Sequence, residues 1–201
     1  MLRLLPLLLL PAVALAGPGK FNKVIAPGDA APAWEKLDGT DGKPHSLADL
    51  KGTDVVVLVF TANTCPVAVD YEDRLIAFAK ANPNVAVVAV NSNAGKDDTL
   101  DAMTKRATKK EFPFVYLADP DGELARKYGA MYTPEFFVLN KDRKVVYAGS
   151  MDDKSPPREP TAKYLEAAVA AVLDGKKVEV AETSAAAGCR IKLKAKKDDD
   201  K

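Results

Sequence analysis

The chain has 201 residues, and its 29 Lys and Arg nearly balance its 28 Asp and Glu, which gives a formal net charge of +1 at pH 7. This balance gives no indication of nucleic acid or an anionic membrane as a partner. The chain contains only two cysteines, Cys65 and Cys189, and one histidine, His45. Two cysteines are too few for a disulfide scaffold, and one histidine offers little to a Cys–His protease or a His-based metal site. We therefore expect no metal and no cofactor.

The first sixteen residues have the pattern of a secretory signal peptide. Arg3 supplies positive charge, residues 4–10 form a leucine-rich run too short to span a bilayer, and Ala14-Leu15-Ala16 is a cleavage site of the A-x-A type. The pattern predicts a signal peptide over residues 1–16 and a mature chain in the periplasm or outside the cell. No later apolar run is long enough for a transmembrane helix, so we expect no membrane contact after cleavage.

The stretch from residue 55 to residue 66 carries the strongest local signal. Its first half is a continuous apolar run rich in β-branched residues, which is typical of a strand buried on both faces of a parallel sheet. Pro66 suits the first position of a helix, so Cys65 lies at a helix N-terminus, where free N–H groups and the helix dipole favour a thiolate. Cys65 could instead be a small buried hydrophobic residue.

The other predicted elements alternate along one domain, residues 26–175. Strands at 35–37 and near His45 form an N-terminal hairpin, and Ser46 caps a short helical turn. After the strand at 55–60, the predicted order is helix 67–82, strand 85–90, helix 97–110, strand 114–117, helix 123–128, hairpin strands 135–140 and 144–148, and helix 162–173 capped by Thr161. Such crossovers predict an α/β fold, a parallel sheet with helices on both faces and antiparallel edge strands.

Three further segments have predicted properties of their own. Residues 17–25 are predicted to be a flexible lead-in, residues 176–193 an irregular, unanchored arm that carries Cys189, and residues 194–201 a disordered charged tail. The charged residues at positions 70 and 72–74 are predicted to form a solvated face of the helix 67–82.

Motifs in the same order resemble the thioredoxin-fold redoxin (AhpC/TSA) family over about residues 25–193. The resemblance rests on four segments: Pro27-Gly28 to Lys51-Gly52 at the start of the domain, Phe60 to Cys65-Pro66, Tyr132-Thr133-Pro134-Glu135, and Gly188-Cys189-Arg190-Ile191-Lys192. The last of these resembles a secreted subgroup. The resemblance implies a thioredoxin-like fold with a central mixed sheet, helices on both faces and an N-terminal β-hairpin extension.

The resemblance also implies a site built on Cys65. Cys65 would be the nucleophile, and Cys189 would be the resolving or structural partner in a reversible disulfide. The supporting residues would be Thr61, Thr64, Pro66, Thr133 and Pro134. A cis Pro134 would hold backbone against Cys65, although an ordinary trans edge proline is the alternative.

Two departures from the family pattern constrain the chemistry. No Cys-x-x-Cys exists, because Ala62 stands where a first cysteine would precede Cys65, and Ala68 stands where a second cysteine would follow it. Ala62 also stands where peroxiredoxins carry a threonine, and no arginine lies near Thr133-Pro134, so at most weak peroxidase activity is predicted.

The implied function is a thiol–disulfide oxidoreductase or a thiol-based antioxidant protein. Its substrate would be a protein disulfide, a small thiol or a peroxide, and its electron donor an external thiol. The alternative is a non-catalytic secreted binding or scaffold module with a structural Cys65–Cys189 disulfide. A metallochaperone is a weaker third interpretation, because His45 stands alone.

Overall fold

The computed structural model describes residues 18–195, so the predicted signal peptide and the end of the charged tail lie outside the described residues. Within this part of the chain no helix is long and apolar enough to cross a membrane. The strands are β1 (Leu37–Asp38), β2 (Pro44–His45), β3 (Val55–Phe60), β4 (Val85–Asn91), β5 (Val115–Ala118), β6 (Tyr132–Thr133), β7 (Glu135–Leu139), β8 (Val145–Gly149) and β9 (Cys189–Arg190). The helices are α1 (Pro66–Ala81), α2 (Leu100–Lys110), α3 (Glu123–Tyr128) and α4 (Tyr164–Leu173).

Five strands form the central mixed sheet, in the order β5-β4-β3-β7-β8. Strand β3 lies in the middle, parallel to β4 and antiparallel to β7. All six residues of β3 are 0% exposed, which explains why its sequence is apolar without alternation. The predicted mixed sheet and thioredoxin-like α/β class are confirmed.

Helices cover both faces of this sheet, as predicted. Side chains at alternate positions of β3 point to opposite faces. Val57 and its neighbours on that face pack with α1, α2 and α4. Leu58 and its neighbours pack with α3, the segment around Trp34 and the short 3-10 helix Leu47–Leu50. The sheet is therefore the middle of three layers.

Both edges of the sheet are covered by other segments of the chain. The predicted hairpin extension, β1 with β2, reaches the β5 edge through a bridge between Gly39 and Leu117. The β8 edge is covered by Ala30, which bridges Lys144, and by Glu182, which bridges Ala148. These contacts protect strands that would otherwise be open to pairing with another chain.

Parts of the lead-in and of the charged tail make contacts with the folded domain. The Asn22 side chain is buried and donates to the Tyr128 carbonyl oxygen at 2.7 Å, and Ile25 is buried in the core. At the other end, Arg126 donates to the Lys194 carbonyl oxygen at 2.6 Å. Both segments pack on the region of α3, which their polar composition did not indicate.

The predicted solvated face of α1 is confirmed for Asp70 and Asp73, which are exposed, but it is wrong for Glu72 and Arg74. Glu72 is buried and forms a two-pronged ion pair with Arg106 of α2, and Arg74 pairs with the buried Asp152. These residues look like surface residues in the sequence because their partners are distant along the chain.

The start of α4 differs from the prediction as well. The helix begins at Tyr164 with Lys163 as its N-cap, and no side chain caps it. The hydroxyl of Thr161 donates instead to the Asp153 carboxylate, so Thr161 stabilises the preceding loop.

Candidate active site

Cys65 lies where the sequence places it, between the central strand and the longest helix. It is the N-cap of α1, and its sulfur accepts the Ala68 N–H at 3.3 Å. Pro66 occupies the first turn, where its missing N–H costs no helix hydrogen bond. Only 3% of Cys65 is exposed, because Ala62 and Ala68 pack around it. The sulfur is thus both buried and supplied with a backbone donor.

The loop before β7 forms the second wall of the site. The Thr133–Pro134 peptide bond is cis, and the Cys65 thiol donates to the Thr133 carbonyl oxygen at 3.0 Å. The buried Glu135 carboxylate accepts the backbone N–H groups of Met131 and Tyr132 at 2.9 Å and 3.0 Å. Burial raises the pKa of Glu135 against the effect of these two hydrogen bonds. Glu135 therefore stabilises this loop, a role that its place in a predicted strand did not indicate.

The C-terminal arm, residues 176–194, crosses the site and brings Cys189 to it. Strand β9 pairs antiparallel with β6, with Cys189 opposite Thr133. The Ile191 N–H donates to the Met131 carbonyl oxygen at 2.9 Å. Lys192 is fixed on both sides, since its N–H donates to Asn93 Oδ1 at 2.8 Å and its carbonyl oxygen accepts the Ala94 N–H at 2.8 Å. The expectation of an unanchored arm is therefore wrong.

The two cysteines lie side by side at the start of α1. Cys189 packs against the cluster formed by Cys65, Ala62 and Ala68, and neither cysteine is in a disulfide in this structure. Burial raises the pKa of the Cys65 thiol, but interactions with the Cys189 and Thr133 side chains and the hydrogen bond from the Ala68 N–H outweigh this effect, so the pKa of Cys65 lies below its usual value. Burial and the neighbouring Cys65 sulfur raise the pKa of Cys189. The lowered pKa of Cys65 and the raised pKa of Cys189 both favour the thiolate at Cys65.

A buried carboxylate, Asp98, holds the turn that precedes Cys65. It accepts the Asn63 N–H and the Asn91 side-chain amide at 2.8 Å each, and the Thr64 hydroxyl at 2.7 Å. The network continues from Asn91 Oδ1 to Asn93, whose own side-chain oxygen holds the arm. One polar network thus supports the segments that carry both cysteines. Nothing in the sequence distinguishes Asp98 from the exposed Asp97 beside it.

Most of the predicted site residues come together around the two sulfurs. Pro66, Thr133 and Pro134 lie beside Cys65, and Thr64 supports its turn through Asp98. Thr61 behaves differently: its N–H donates to the Val90 carbonyl oxygen, and among residues 18–195 no hydrogen bond joins its hydroxyl to either cysteine.

A cavity is lined by chain neighbours of the two cysteines, although neither cysteine lines it. A cavity of about 270 Å³ is lined by Val67, Pro134 and Gly188, which neighbour the cysteines, and by Asp152 and Thr183. No group of three or more His, Cys, Asp or Glu in the described part of the chain could hold a metal ion.

Three comparisons with known proteins bear on this site. The Redoxin family model matches residues 26–165. "Putative peroxiredoxin Rv2521" of Mycobacterium tuberculosis is 34% identical over 140 residues, which is 62% of this chain and 84% of the relative.

Among solved structures, the hypothetical protein SMc02350 from Sinorhizobium meliloti is 34% identical, with a TM-score of 0.78, and the match covers 87% of this chain and 98% of that one. A secreted disulfide oxidoreductase of Mycobacterium tuberculosis is 26% identical, with a TM-score of 0.53, over 69% of this chain and 95% of that one. With a family match over more than half of its length, and a relative aligned over most of its own, the chain belongs to the Redoxin family of thioredoxin-like thiol oxidoreductases.

Proposed function

We propose that the protein cycles between a Cys65/Cys189 dithiol and a Cys65–Cys189 disulfide, with Cys65 as the nucleophile and Cys189 as the resolving cysteine. The observation that carries this proposal is the placement of the Cys189 thiol against a Cys65 sulfur that also accepts the Ala68 N–H. A thiolate is the reactive form of cysteine, and a second thiol in contact with it allows an intramolecular bond to form. The pair therefore replaces the missing Cys-x-x-Cys with two cysteines that are distant in the sequence.

The oxidising half of the cycle needs a small oxidant, since Cys65 is almost fully buried. With a peroxide, the Cys65 thiolate attacks one oxygen, the O–O bond breaks, and the other oxygen leaves with a proton as alcohol or water. Cys65 is then a sulfenic acid. The Cys189 sulfur attacks the Cys65 sulfur, the hydroxyl leaves as water with the Cys189 proton, and the disulfide forms. The peroxide has gained two electrons from the protein. An external thiol donor must then supply two electrons to reduce the disulfide.

The loops around Cys65 support weak rather than efficient peroxidase activity. Ala62 is buried beside Cys65 and has no hydroxyl to orient a peroxide. Pro66, Thr133, Pro134 and Thr64 serve to hold the Cys65 sulfur in place. The family favours this redox role over the non-catalytic module with a structural disulfide.

The proposed location is the periplasm or the cell exterior, on the strength of the predicted signal peptide. One similar solved protein is described as secreted. Disulfide chemistry suits an oxidising compartment.

Peptide mass mapping on the full chain tests the cycle. The reduced protein is treated with graded peroxide, and then with dithiothreitol. We expect a Cys65–Cys189 crosslink that forms with oxidant and opens with dithiothreitol while the protein stays folded. Cys65→Ser should slow oxidant consumption by about a thousandfold.

The matched variant Cys189→Ser should still react once and should accumulate a sulfenic acid at Cys65. A protein whose two thiols never join, or whose crosslink opens only on unfolding, would contradict the proposed cycle.

A further inference from the structure

The two sulfurs differ sharply in their access to solvent. Cys65 is 3% exposed, whereas Cys189 is partly exposed on the surface of the arm. We propose that external thiols exchange with the Cys65–Cys189 disulfide at the sulfur of Cys189, so that the mixed disulfide with the electron donor forms on Cys189. This inference rests on the proposed dithiol–disulfide cycle and assigns its point of entry.

The direction of attack makes the difference in access decisive. A thiolate displaces the leaving sulfur in line, from the side opposite the bond that breaks. Ala62, Ala68 and the Thr133 carbonyl group pack around Cys65 and leave it 3% exposed, so little room remains there for an incoming thiol. Cys189 is partly exposed. An incoming donor therefore has better access to Cys189 than to Cys65.

The arm is held where it covers Cys65. At Gly188, a Cβ atom would lie 2.3 Å from the Thr133 carbonyl oxygen, so the backbones of the arm and the loop are as close as a glycine permits. The Ala185 carbonyl oxygen accepts the Gly188 N–H at 3.0 Å, and Asn93 fixes the arm beyond Cys189. The arm over Cys65 is thus held through its backbone both before and after Cys189.

The exchange step balances as follows. The donor thiolate bonds to the Cys189 sulfur, the Cys65–Cys189 bond breaks, and its electron pair goes to Cys65. The departing Cys65 thiolate is stabilised by the Ala68 N–H, and a thiolate of lower pKa is the better leaving group. A second donor thiolate then attacks the donor sulfur of the mixed disulfide, and Cys189 leaves and takes a proton. The donor becomes a disulfide, and the protein has gained two electrons.

This assignment separates the two classes of reactant by size. The oxidant that meets Cys65 must be small, whereas the donor that meets Cys189 can be a thiol on the surface of another protein. The chain would thus receive two electrons from a thiol donor at the accessible Cys189 and pass two electrons to a small oxidant at Cys65.

Single-cysteine variants of the full chain test the access directly. Cys65→Ser leaves Cys189, and Cys189→Ser leaves Cys65 beneath an otherwise unchanged arm. Each is reacted with small methyl methanethiosulfonate and with bulky dithiobis-nitrobenzoate over a range of pH, and each rate is divided by the thiolate fraction. We expect the bulky-to-small rate ratio to be lower at Cys65 than at Cys189 by about tenfold. In urea the two ratios should become equal; equal ratios in the folded proteins would overturn the proposal.

A glycine pair tests whether the arm is the cover. In the Cys189→Ser background, Gly188→Ala should displace the arm and raise the rate of the bulky reagent at Cys65. Gly52→Ala is the control, because nothing lies within 4 Å of a Cβ atom there. An unchanged rate in the Gly188 variant would contradict a covering role for the arm.

Trapping of the mixed disulfide on the unsubstituted protein is a test that does not depend on the folding of a variant. Oxidised protein is mixed with mercaptoethanol and quenched with acid, and the adduct is located by peptide mapping. An adduct on Cys189 with Cys65 free is expected, and an adduct on Cys65 would overturn the proposal. If no Cys65–Cys189 crosslink forms beforehand, the proposed cycle itself fails, while the reagent ratios still decide which sulfur is accessible.

Discussion

The surroundings of Cys65 and of Cys189 differ in how they are stabilised. Cys65 follows a strand whose residues are fully buried and begins a helix of sixteen residues. Cys189 belongs to a two-residue strand on a surface arm, held mainly by backbone hydrogen bonds to β6 and to the loop at Asn93. Breaking a core strand costs much of the global stability, whereas a short surface pairing can open locally. The comparison suggests a fixed sulfur served by a partner that can move.

A disulfide between the two regions should produce the largest change. Joining Cys65 to Cys189 closes a loop of more than 100 residues, which corresponds to about 4–5 kcal/mol on the chain-entropy model. Urea unfolding of the oxidised and reduced protein should show this gain as a shift of the midpoint. In Cys189→Ser, oxidant should not shift the unfolding midpoint. Equal midpoints for the oxidised and reduced unsubstituted protein would contradict the expectation.

Removing Asp98 should disturb the Cys65 region more than a surface substitution can. Asp98→Ala leaves the Asn63 N–H, the Thr64 hydroxyl and the Asn91 amide without their acceptor, which should lower the free energy of unfolding by about 3 kcal/mol. The exposed neighbour Asp97 provides the control, because Asp97→Ala should change the free energy of unfolding by less than about 0.5 kcal/mol. Similar losses in the two variants, measured by urea unfolding, would show that the network does not anchor the turn.

The smallest effect concerns the thiol pKa values, which link the two regions. In Cys189→Ser the introduced hydroxyl can still donate to the Cys65 sulfur, whereas in Cys189→Ala no donor remains. The apparent pKa of Cys65, from alkylation rate against pH, should therefore be higher in the alanine variant. Equal values would mean that the arm does not stabilise the thiolate.

The same shift predicts the pH dependence of stability in Cys189→Ser. Because folding lowers the pKa of Cys65, the stabilisation is fully present above the unfolded value of about 8.5. It is lost as the pH falls through the lowered folded value. Urea unfolding at several pH values measures this slope, which should be weaker in Cys189→Ala.

Local sequence patterns were sufficient for the elements around Cys65. The apolar run at 55–60 and Pro66 predicted a buried strand followed by a helix, and both are present with Cys65 at their junction. The order of strands and helices also predicted the mixed sheet. These features depend on side-chain periodicity and on the missing N–H of proline. Both are local properties of the residues that form the elements.

Other features depended on partners far away in the sequence. Glu72 and Asp98 have the same local patterns as solvated carboxylates, and only the packing of α2 and its preceding turn against α1 buries them. The lead-in also contacts distant residues, since the Asn22 side chain reaches the carbonyl group at the end of α3.

The sequence by itself determined that a cysteine stands at the start of the helix after the central strand, because the run of apolar residues and Pro66 act within a few positions. Only the tertiary structure decided that Cys189 lies against it and that Cys65 is the covered sulfur. That placement depends on the register of β9 with β6 and on the contacts of Lys192 with Asn93 and Ala94. Such pairings are hydrogen bonds between backbone groups of distant segments. The local sequence does not indicate them, because they form only when folding brings the segments together.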